Sequence, residues 1–170
     1  MQMGVSKTET FFQLIYSSKP ASKLEVQNLI EILKDAQKYN QDEGISGFLL
    51  YGPDKLIQLL EGEEQKVINL YQKIKKDRRH SDIAVQYFGY AESRCMPFLG
   101  MGLCLMYEIN IHDHHFYFSR AEAKKFTPLI KGEIGEIFGK YLDCVNASET
   151  QTYFEDLIVN VESKKNHHLL

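Results

Sequence analysis

Two short apolar runs on either side of a turn constrain the fold of this chain more than any other feature. Residues 45–51 and 56–61 are rich in aliphatic and aromatic side chains, and a turn that contains glycine and proline, residues 52–55, separates them. Such a pair is typical of an antiparallel hairpin, because each run is long enough for one strand and the turn reverses the chain. The sequence therefore predicts a hairpin formed by the second and third strands of a sheet.

Strand and helix patterns alternate on both sides of this hairpin. Residues 10–17 predict a first strand, and residues 83–90 predict a fourth. Apolar residues at helical spacing predict one helix that opens near Ser22 and another that opens at Gly62. The order β-α-β-β-α-β is that of the α+β ferredoxin-like fold, in which two helices cover one face of an antiparallel sheet.

The remainder of the chain predicts a fifth strand and a helical extension. Residues 98–111 are apolar enough for a strand, and residues 121–144 and 148–161 have helical periodicity. Pro128 and the nearby glycines predict a break in the first of these two helices. The apolar stripes of these helices need a surface, either the far face of the sheet or another chain. We therefore expect a domain over residues 9–111 and a C-terminal helical extension over residues 119–161.

The composition excludes several classes of function. The chain has 170 residues, 44% of them hydrophobic, and a formal net charge of −3. This balance gives no basic surface for a nucleic acid or an anionic membrane. Because no apolar run is long enough to span a bilayer, the expected compartment is the cytoplasm.

The cysteines and histidines do not predict a metal site. Cys95, Cys104 and Cys144 are scattered and odd in number, so we expect reduced, packed thiols rather than disulfides or zinc ligands. Three histidines and an aspartate lie within residues 112–115, but ligands this close together, without a second cluster, make a weak zinc or nickel site. We therefore expect no metal.

Three polar residues stand where this layout predicts core or sheet. Tyr16 ends the first strand, Asn40 lies on the apolar face of the first helix, and Gln58 interrupts the apolar series of Leu56 and Leu60. A buried amide needs hydrogen-bond partners or costs about 1–3 kcal/mol. The pattern alone leaves two interpretations open. One is a functional slot between the two helices, and the other is a set of ordinary polar residues satisfied by the backbone.

These residues belong to a longer set of motifs that resembles the BLUF family of blue-light photoreceptors. The resemblance covers about residues 11–103. Each motif alone is weak, whereas their joint order and spacing are specific. The matching positions are LIYSS at residues 14–18, Asn40, GISGFLLY at 44–51, QLLEG at 58–62, DRRH at 77–80, Arg94 and Met101. The resemblance implies the same ferredoxin-like fold that the periodicity predicts.

The resemblance implies a photochemical role for three residues. Tyr16 is similar to the family's photoactive tyrosine, the electron and proton donor to an excited flavin. Gln58 is similar to the switching glutamine that bridges this phenol and the flavin N5 and O4 edge, and Met101 is similar to the fifth-strand methionine beside it. The signal is then a rearrangement of hydrogen bonds relayed through the fifth strand, and we expect no enzyme activity.

The resemblance also implies the cofactor and its binding residues. The cofactor is FAD, with FMN or riboflavin as alternatives. Asn40 is similar to the amide that binds the flavin O4 and N3 edge. Ile32 and Ile74 are similar to the apolar residues that sandwich the ring. The residues similar to those near the pyrimidine end and the ribityl chain are Lys73, Asp77, Arg79 and His80.

Three positions depart from the family pattern. Leu99 stands where a tryptophan is usual, Tyr39 where many members have histidine or asparagine, and Lys73 where arginine is common. The leucine removes a rival aromatic electron donor near the fifth strand. We expect the photoreceptor to form a homo-oligomer and to act on an unidentified signalling protein through its C-terminal helices.

Two other functions fit the predicted fold. An acylphosphatase-like hydrolase would need an anion-binding loop near the first strand, where residues 17–20 are a poor match. A ferredoxin-like regulatory module could bind a small metabolite without responding to light.

The acidic residues Glu61, Glu63 and Glu64 are interpreted as the N-terminal charges of the second helix.

Overall fold

A computed structural model describes residues 9–21, 26–52, 54–96, 99–105, 117–127, 130 and 132–144. Strands and helices alternate along the first part of this range, as the hydrophobic pattern predicts. The strands are β1 (Phe11–Pro20), β2 (Ser46–Tyr51), β3 (Leu56–Gly62), β4 (His80–Ala91), β5 (Gly100–Leu105) and β6 (Tyr117–Phe118). The helices are α1 (Val26–Glu43), α2 (Glu64–Ile74), α3 (Arg120–Phe126) and α4 (Glu133–Cys144).

The strands form one sheet in the order β4-β1-β3-β2-β5-β6. The first four are antiparallel, which confirms the ferredoxin-like arrangement, and β5 adds to the outer side of β2 in parallel. Because β4 and β5 lie on opposite sides of three other strands, the connection between them, of which residues 92–96 and 99 are described, crosses the sheet. This crossing connection passes the end of the central strand β3.

The two faces of the sheet bury different sets of side chains. Alternate residues of a strand point to opposite faces, so each strand contributes to both cores. On one face, α1 and α2 pack over a cluster that includes Leu14, Leu60 and Leu103. On the other face, α3 and α4 pack over a cluster that includes Ile15, Phe48, Leu59, Ala123 and Phe138. The C-terminal helices therefore cover the sheet of their own chain.

Several predicted boundaries differ from the observed ones. The second helix begins at Glu64 rather than Gly62, because Gly62 still pairs with Phe12 at the end of β3. The fourth strand is longer than predicted and reaches from His80 to Ala91, since its pairing with β1 extends over the full length of β1. The prediction missed β6, a two-residue strand beside β5.

The predicted break in the C-terminal helix is confirmed. The helix α3 ends at Phe126 and α4 begins at Glu133, on either side of the region with Pro128 and Gly132. A capping box between Ser119 and Glu122 opens α3. The predicted opening of the first helix at Ser22, residues 106–111 of the fifth strand, the histidines at 112–115 and the helix at 148–161 lie outside the described residues.

None of the described helices combines the length and the apolar character that a membrane crossing requires. Among the described residues there is also no group of three or more histidine, cysteine or acidic side chains arranged to hold a metal ion. Cys95 and Cys104 are free thiols, and burial is the main cause that raises the pKa of each to about 12. Both are therefore protonated at neutral pH.

Candidate functional site

A cavity of about 310 Å³ lies between α1 and α2 and is floored by the sheet. Some of the helix side chains that line this space, including Ile32, Ala36 and Ile74, are only partly buried, and the strands beneath present both polar and apolar side chains. The size and the mainly apolar lining are those of a small-molecule site. All ten residues proposed from the sequence line it: Tyr16, Ile32, Asn40, Gln58, Lys73, Ile74, Asp77, Arg79, His80 and Met101.

Tyr16 and Gln58 form a hydrogen-bonded pair on the cavity floor. They are paired residues of β1 and β3, so the antiparallel register sets their side chains next to each other on the same face. The Tyr16 hydroxyl donates to Gln58 Oε1. Burial, aided by Tyr71 and Asp77, raises the pKa of the Tyr16 phenol well above its usual value. The phenol is therefore protonated in the resting protein and serves as a donor.

Gln58 continues the chain of hydrogen bonds to β5. Its Nε2 lies 3.4 Å from the sulfur of Met101 and donates to it. Met101 reaches this position because Gly47 lies opposite it on the neighbouring strand β2. A Cβ on Gly47 would lie 2.9 Å from Met101 Cε and 2.7 Å from the Leu59 carbonyl oxygen. Glycine at this position therefore leaves room for the methionine side chain beside Gln58.

Two amides of α1 hold the start of β5. Asn40 Nδ2 donates to the Gly100 carbonyl at 3.2 Å, and Gln37 Nε2 donates to the Met101 carbonyl. Gly100 has a φ of +113°, a conformation open to glycine, and a Cβ there would collide with Gln37 Oε1. Asn40 is almost fully buried, and its amide has a second N–H and an oxygen with which to meet a ligand.

Four charged side chains line the cavity, namely Asp35, Lys73, Asp77 and Arg79. Lys73 Nζ donates to the Tyr39 hydroxyl at 3.0 Å, which joins α2 to α1. Arg79 Nε donates to both carboxylate oxygens of Asp77 at 2.9 Å. This guanidinium holds the pKa of the Asp77 carboxyl below its usual value. The lining therefore offers two cations, of which Arg79 is ion-paired, and two carboxylates for contact with a polar substituent.

His80 is held by the protein on both ring nitrogens. Its Nε2 lies 2.9 Å from the Ile74 carbonyl oxygen, and its Nδ1 lies 2.8 Å from the Ser18 hydroxyl. A carbonyl only accepts, so Nε2 carries a proton; in the neutral ring Nδ1 accepts from Ser18. His80 therefore links α2 to β1 at the cavity wall.

Sequence reasoning missed three residues of this region. Gln37 lies between Leu33 and Asn40 on the same helical face, so a polar residue in the apolar stripe was an available signal. Gly47 had no signal, because its role depends on the pairing of β2 with β5. The interpretation of Glu61 as a helix charge was wrong: it lies within β3 and is fully buried, whereas Glu63 and Glu64 are exposed.

Two other sequence-based expectations concern Leu99 and residues 17–20. Leu99, in the position where the family usually has tryptophan, is 43% exposed and does not line the cavity. Residues 17–20, which the hydrolase alternative would need as an anion-binding loop, belong to the paired strand β1. The structure therefore offers no such loop at that place.

Residues 11–102 match the family described as sensors of blue-light using FAD, abbreviated BLUF. The match covers more than half of the sequence, so this chain belongs to the BLUF family. BLUF domains are blue-light sensors that bind a flavin rather than enzymes in themselves.

Relatives of the chain carry the domain in larger proteins. The chain is 32% identical over 94 residues to the photoactivated adenylate cyclase subunit beta of Euglena longa, and this covers 55% of the chain and 11% of that protein. It is 29% identical over 145 residues to the blue light- and temperature-regulated antirepressor BluF of Escherichia coli K12, which covers 84% and 34% respectively. The chain thus spans a minor part of either relative.

A solved structure of BlsA in its photo-activated state is close to this chain in size. It superposes with a TM-score of 0.57 and 25% identity, and the match covers 81% of the chain and 97% of BlsA. The agreement extends beyond the family match over residues 11–102. The fold derived from hydrophobic periodicity is therefore the fold of this family.

The cavity residues fit a flavin. A flavin ring is flat and largely apolar, with hydrogen-bonding atoms along one edge and a polar chain attached. The cavity has aliphatic walls on both helices, including Ile32 and Ile74, and the amides of Asn40 and Gln58 on its inner side. Lys73 and Arg79 are the two cations of the lining, beside the carboxylates of Asp35 and Asp77. The chemistry of the lining therefore agrees with the ligand class of the family.

Proposed function

We propose that this protein is a blue-light photoreceptor that holds oxidised FAD between α1 and α2 and signals by rearranging the hydrogen bonds of Gln58. The observation that supports this most directly is the chain of contacts from the Tyr16 hydroxyl to Gln58 Oε1 and from Gln58 Nε2 to Met101. All three side chains are buried and line one cavity.

Each of the three residues in this series of contacts has a defined role in the proposed light response. When bound, oxidised flavin absorbs blue light and becomes a strong oxidant in its excited state. Tyr16 is the buried donor, and its phenolic proton already points at Gln58 Oε1. Gln58 has both an acceptor and donors on one amide, so rotation or tautomerisation exchanges the groups that it offers to Tyr16 and Met101. Met101 then loses or changes the hydrogen bond to its sulfur.

The remaining cavity residues bind the cofactor in this proposal. Asn40 meets the polar edge of the ring while it holds Gly100, and Ile32 and Ile74 pack on its faces. Lys73 and the Asp77–Arg79 pair meet the chain that carries the phosphates, and His80 supports the wall. We assign FAD on the family description, and we assign Lys73 and Arg79, the two cations of the lining, to its phosphates.

The output is proposed to leave through β5 and the C-terminal helices. Cys104 of β5 lies in the same packed cluster as Phe138 of α4. A shift of the strand is therefore transmitted to these helices by direct contact. A light-driven change in residues 119–161 would then alter an oligomer or a separate signalling protein. Because relatives include a cyclase subunit and an antirepressor, the partner here is a regulatory protein of that general kind.

An absorption spectrum before and after blue light tests the central proposal. We expect a yellow protein whose flavin bands shift slightly to the red under blue light and return in darkness. A colourless protein that no flavin reconstitutes would refute it. Hydrogen exchange in darkness and light tests the output: changed protection near Gln58 and Met101 but not within residues 119–161 would make the helices a scaffold.

A further inference from the structure

Glu61 is a buried carboxylate that the proposed photochemistry does not use. It is the sixth residue of β3, three positions after Gln58, and its side chain has no exposed surface. Burying a charged group is costly unless hydrogen bonds replace its water. A fully buried acid in the central strand therefore needs a structural reason.

Four donors converge on this carboxylate. The Gln13 side chain and the Cys95 backbone N–H donate to Oε2 at 2.8 Å and 2.6 Å. The Met96 backbone N–H and the Ser46 hydroxyl reach Oε1 at 2.9 Å and 3.3 Å. An ionised carboxylate only accepts, so this set of donors matches it on both oxygens. Glu61 thereby joins β1, β2 and β3 to the crossing connection.

Arg94 adds a cation to the same network. Its guanidinium donates to the Ser46 hydroxyl at 2.8 Å, to the Glu61 backbone carbonyl at 2.8 Å and to the Gly44 carbonyl at 2.7 Å. Residues 94–96 are therefore held to the ends of β2 and β3 by one anion and one cation. These bonds lie midway along the connection that crosses from β4 to β5.

The position of Met101 depends on where this connection ends. After Met96 the chain enters β5 at Gly100, and Met101 follows directly. The Gln58–Met101 contact is a weak N–H···S hydrogen bond of 3.4 Å, which cannot by itself fix a strand. The strand β5 is held by its pairing with β2 and by Gln37 and Asn40 of α1. Glu61 adds a link between the strand that carries Gln58 and the segment that leads to Met101.

We propose that Glu61 is a positioning residue of the photoswitch, which sets β5 against β3 so that Met101 stays within reach of Gln58. The inference rests on the proposed light response and deepens it. Replacing Glu61 with glutamine removes one of the two acceptor oxygens, so that two of the four donors meet an NH₂ group instead of an acceptor. The crossing connection is then held less firmly, and β5 moves more easily relative to β3.

The test compares the dark recovery of flavin absorbance after a blue flash in Glu61→Gln and in the wild type. We expect the red shift to persist, because Tyr16 and Gln58 are unchanged. We expect recovery to accelerate roughly tenfold, the change in rate or equilibrium that the loss of one hydrogen bond to a charged group produces. Glu63→Gln is the matched control, because it makes the same substitution at an exposed residue of the same region.

A second control separates positioning from general loss of stability. Val67→Ala truncates a buried residue of α2 that does not line the cavity, so it should lower the melting temperature and leave recovery unchanged. If Glu61→Gln does not fold, Ser46→Ala removes one donor to Glu61 and one acceptor of Arg94, leaves the other three donors to the carboxylate in place, and should accelerate recovery in the same direction by less.

The possible failures are distinguishable. A wild-type protein that binds no flavin or shows no photocycle refutes the proposed function. A wild type that cycles, with Glu61→Gln and Ser46→Ala recovering at the wild-type rate, refutes the positioning role alone. Equal acceleration in Val67→Ala would also overturn it, because the effect would then follow stability rather than the crossing connection.

Discussion

The two faces of the sheet use the same strands for opposite purposes. On the face of α1 and α2, residues Tyr16, Gln58 and Met101 surround a cavity and bond to one another. On the face of α3 and α4, the neighbouring residues Ile15 and Leu59 belong to a closed apolar cluster. A residue whose side chain moves on the first face therefore lies in the same strand as residues that are tightly packed on the second face.

This difference separates chemistry from transmission. The cavity face tolerates polar groups because a ligand can complete their hydrogen bonds, and its helices leave space between them. The closed face is packed from side chains such as Ile15, Phe48 and Phe138 that have no exposed surface, so displacements there propagate by contact rather than being absorbed. Variants on the two faces should consequently differ in kind: those on the cavity face should change spectra, and those on the closed face should change stability.

The largest effect is expected from Tyr16→Phe. The ring still packs, so the protein should keep its flavin, but the phenolic donor to Gln58 is gone and the light-induced red shift should be lost. Gln58→Leu should behave in the same way, because no amide remains to rearrange. Spectra before and after illumination measure both variants. A normal photocycle in either would show that the switching chemistry lies outside this pair.

The counterpart on the closed face is Phe138→Ala. Phe138 is fully buried in α4, and its ring lies 5.9 Å from that of Phe48. Truncation should lower the free energy of unfolding by about 3–5 kcal/mol, measured by urea denaturation. The red shift of the folded protein should remain. A lost red shift in folded Phe138→Ala would remove the proposed distinction between the two faces.

Gly47→Ala should affect both properties. The new methyl group meets the Leu59 carbonyl oxygen, which is backbone and cannot move freely, and it meets Met101 Cε. We expect a loss of about 1–3 kcal/mol in unfolding free energy together with altered dark recovery, since the methionine is displaced. Gly139→Ala is the matched control: its site in α4 is open, and alanine there should be neutral or stabilising.

Asn40→Ala should weaken flavin binding by about 0.5–1.5 kcal/mol, because the cofactor loses one hydrogen-bonding amide. The affinity is measured by titrating the flavin-free protein and following flavin fluorescence. Lys34→Ala, on the exposed surface of the same helix, provides the comparison. An unchanged affinity in Asn40→Ala would assign this asparagine to the support of Gly100 alone.

The smallest effect concerns Asp77 and acid. Arg79 lowers the pKa of Asp77, so the pair contributes stability above the unfolded-state pKa and loses it as pH falls through the lower folded-state value. Asp77→Asn should therefore cost about 0.2–1 kcal/mol at neutral pH, the range of a partly exposed ion pair. The difference from the wild type should vanish in acid, as urea unfolding at both pH values would reveal. An equal difference in acid would mean that the charge is irrelevant.

The sequence by itself determined the fold and predicted the residues of the candidate site. Periodicity alone predicted the order of the first four strands and two helices, because alternation and helical spacing are local consequences of burial. Gln58 stood out for the same reason, as a polar residue on an apolar face. The BLUF motifs then predicted ten residues, and all of them line one cavity.

Only the tertiary structure decided how β5 is held. Gly47, Gln37 and Glu61 are distant from Met101 in the sequence, and nothing local indicates that they meet its strand or the connection before it. Glu61 follows five residues of a mainly apolar strand and precedes two exposed glutamates, so its charge looked like that of a helix start. Its burial depends on Gln13, Ser46 and a connection that crosses the sheet, and such long-range contacts exist only after the chain has folded.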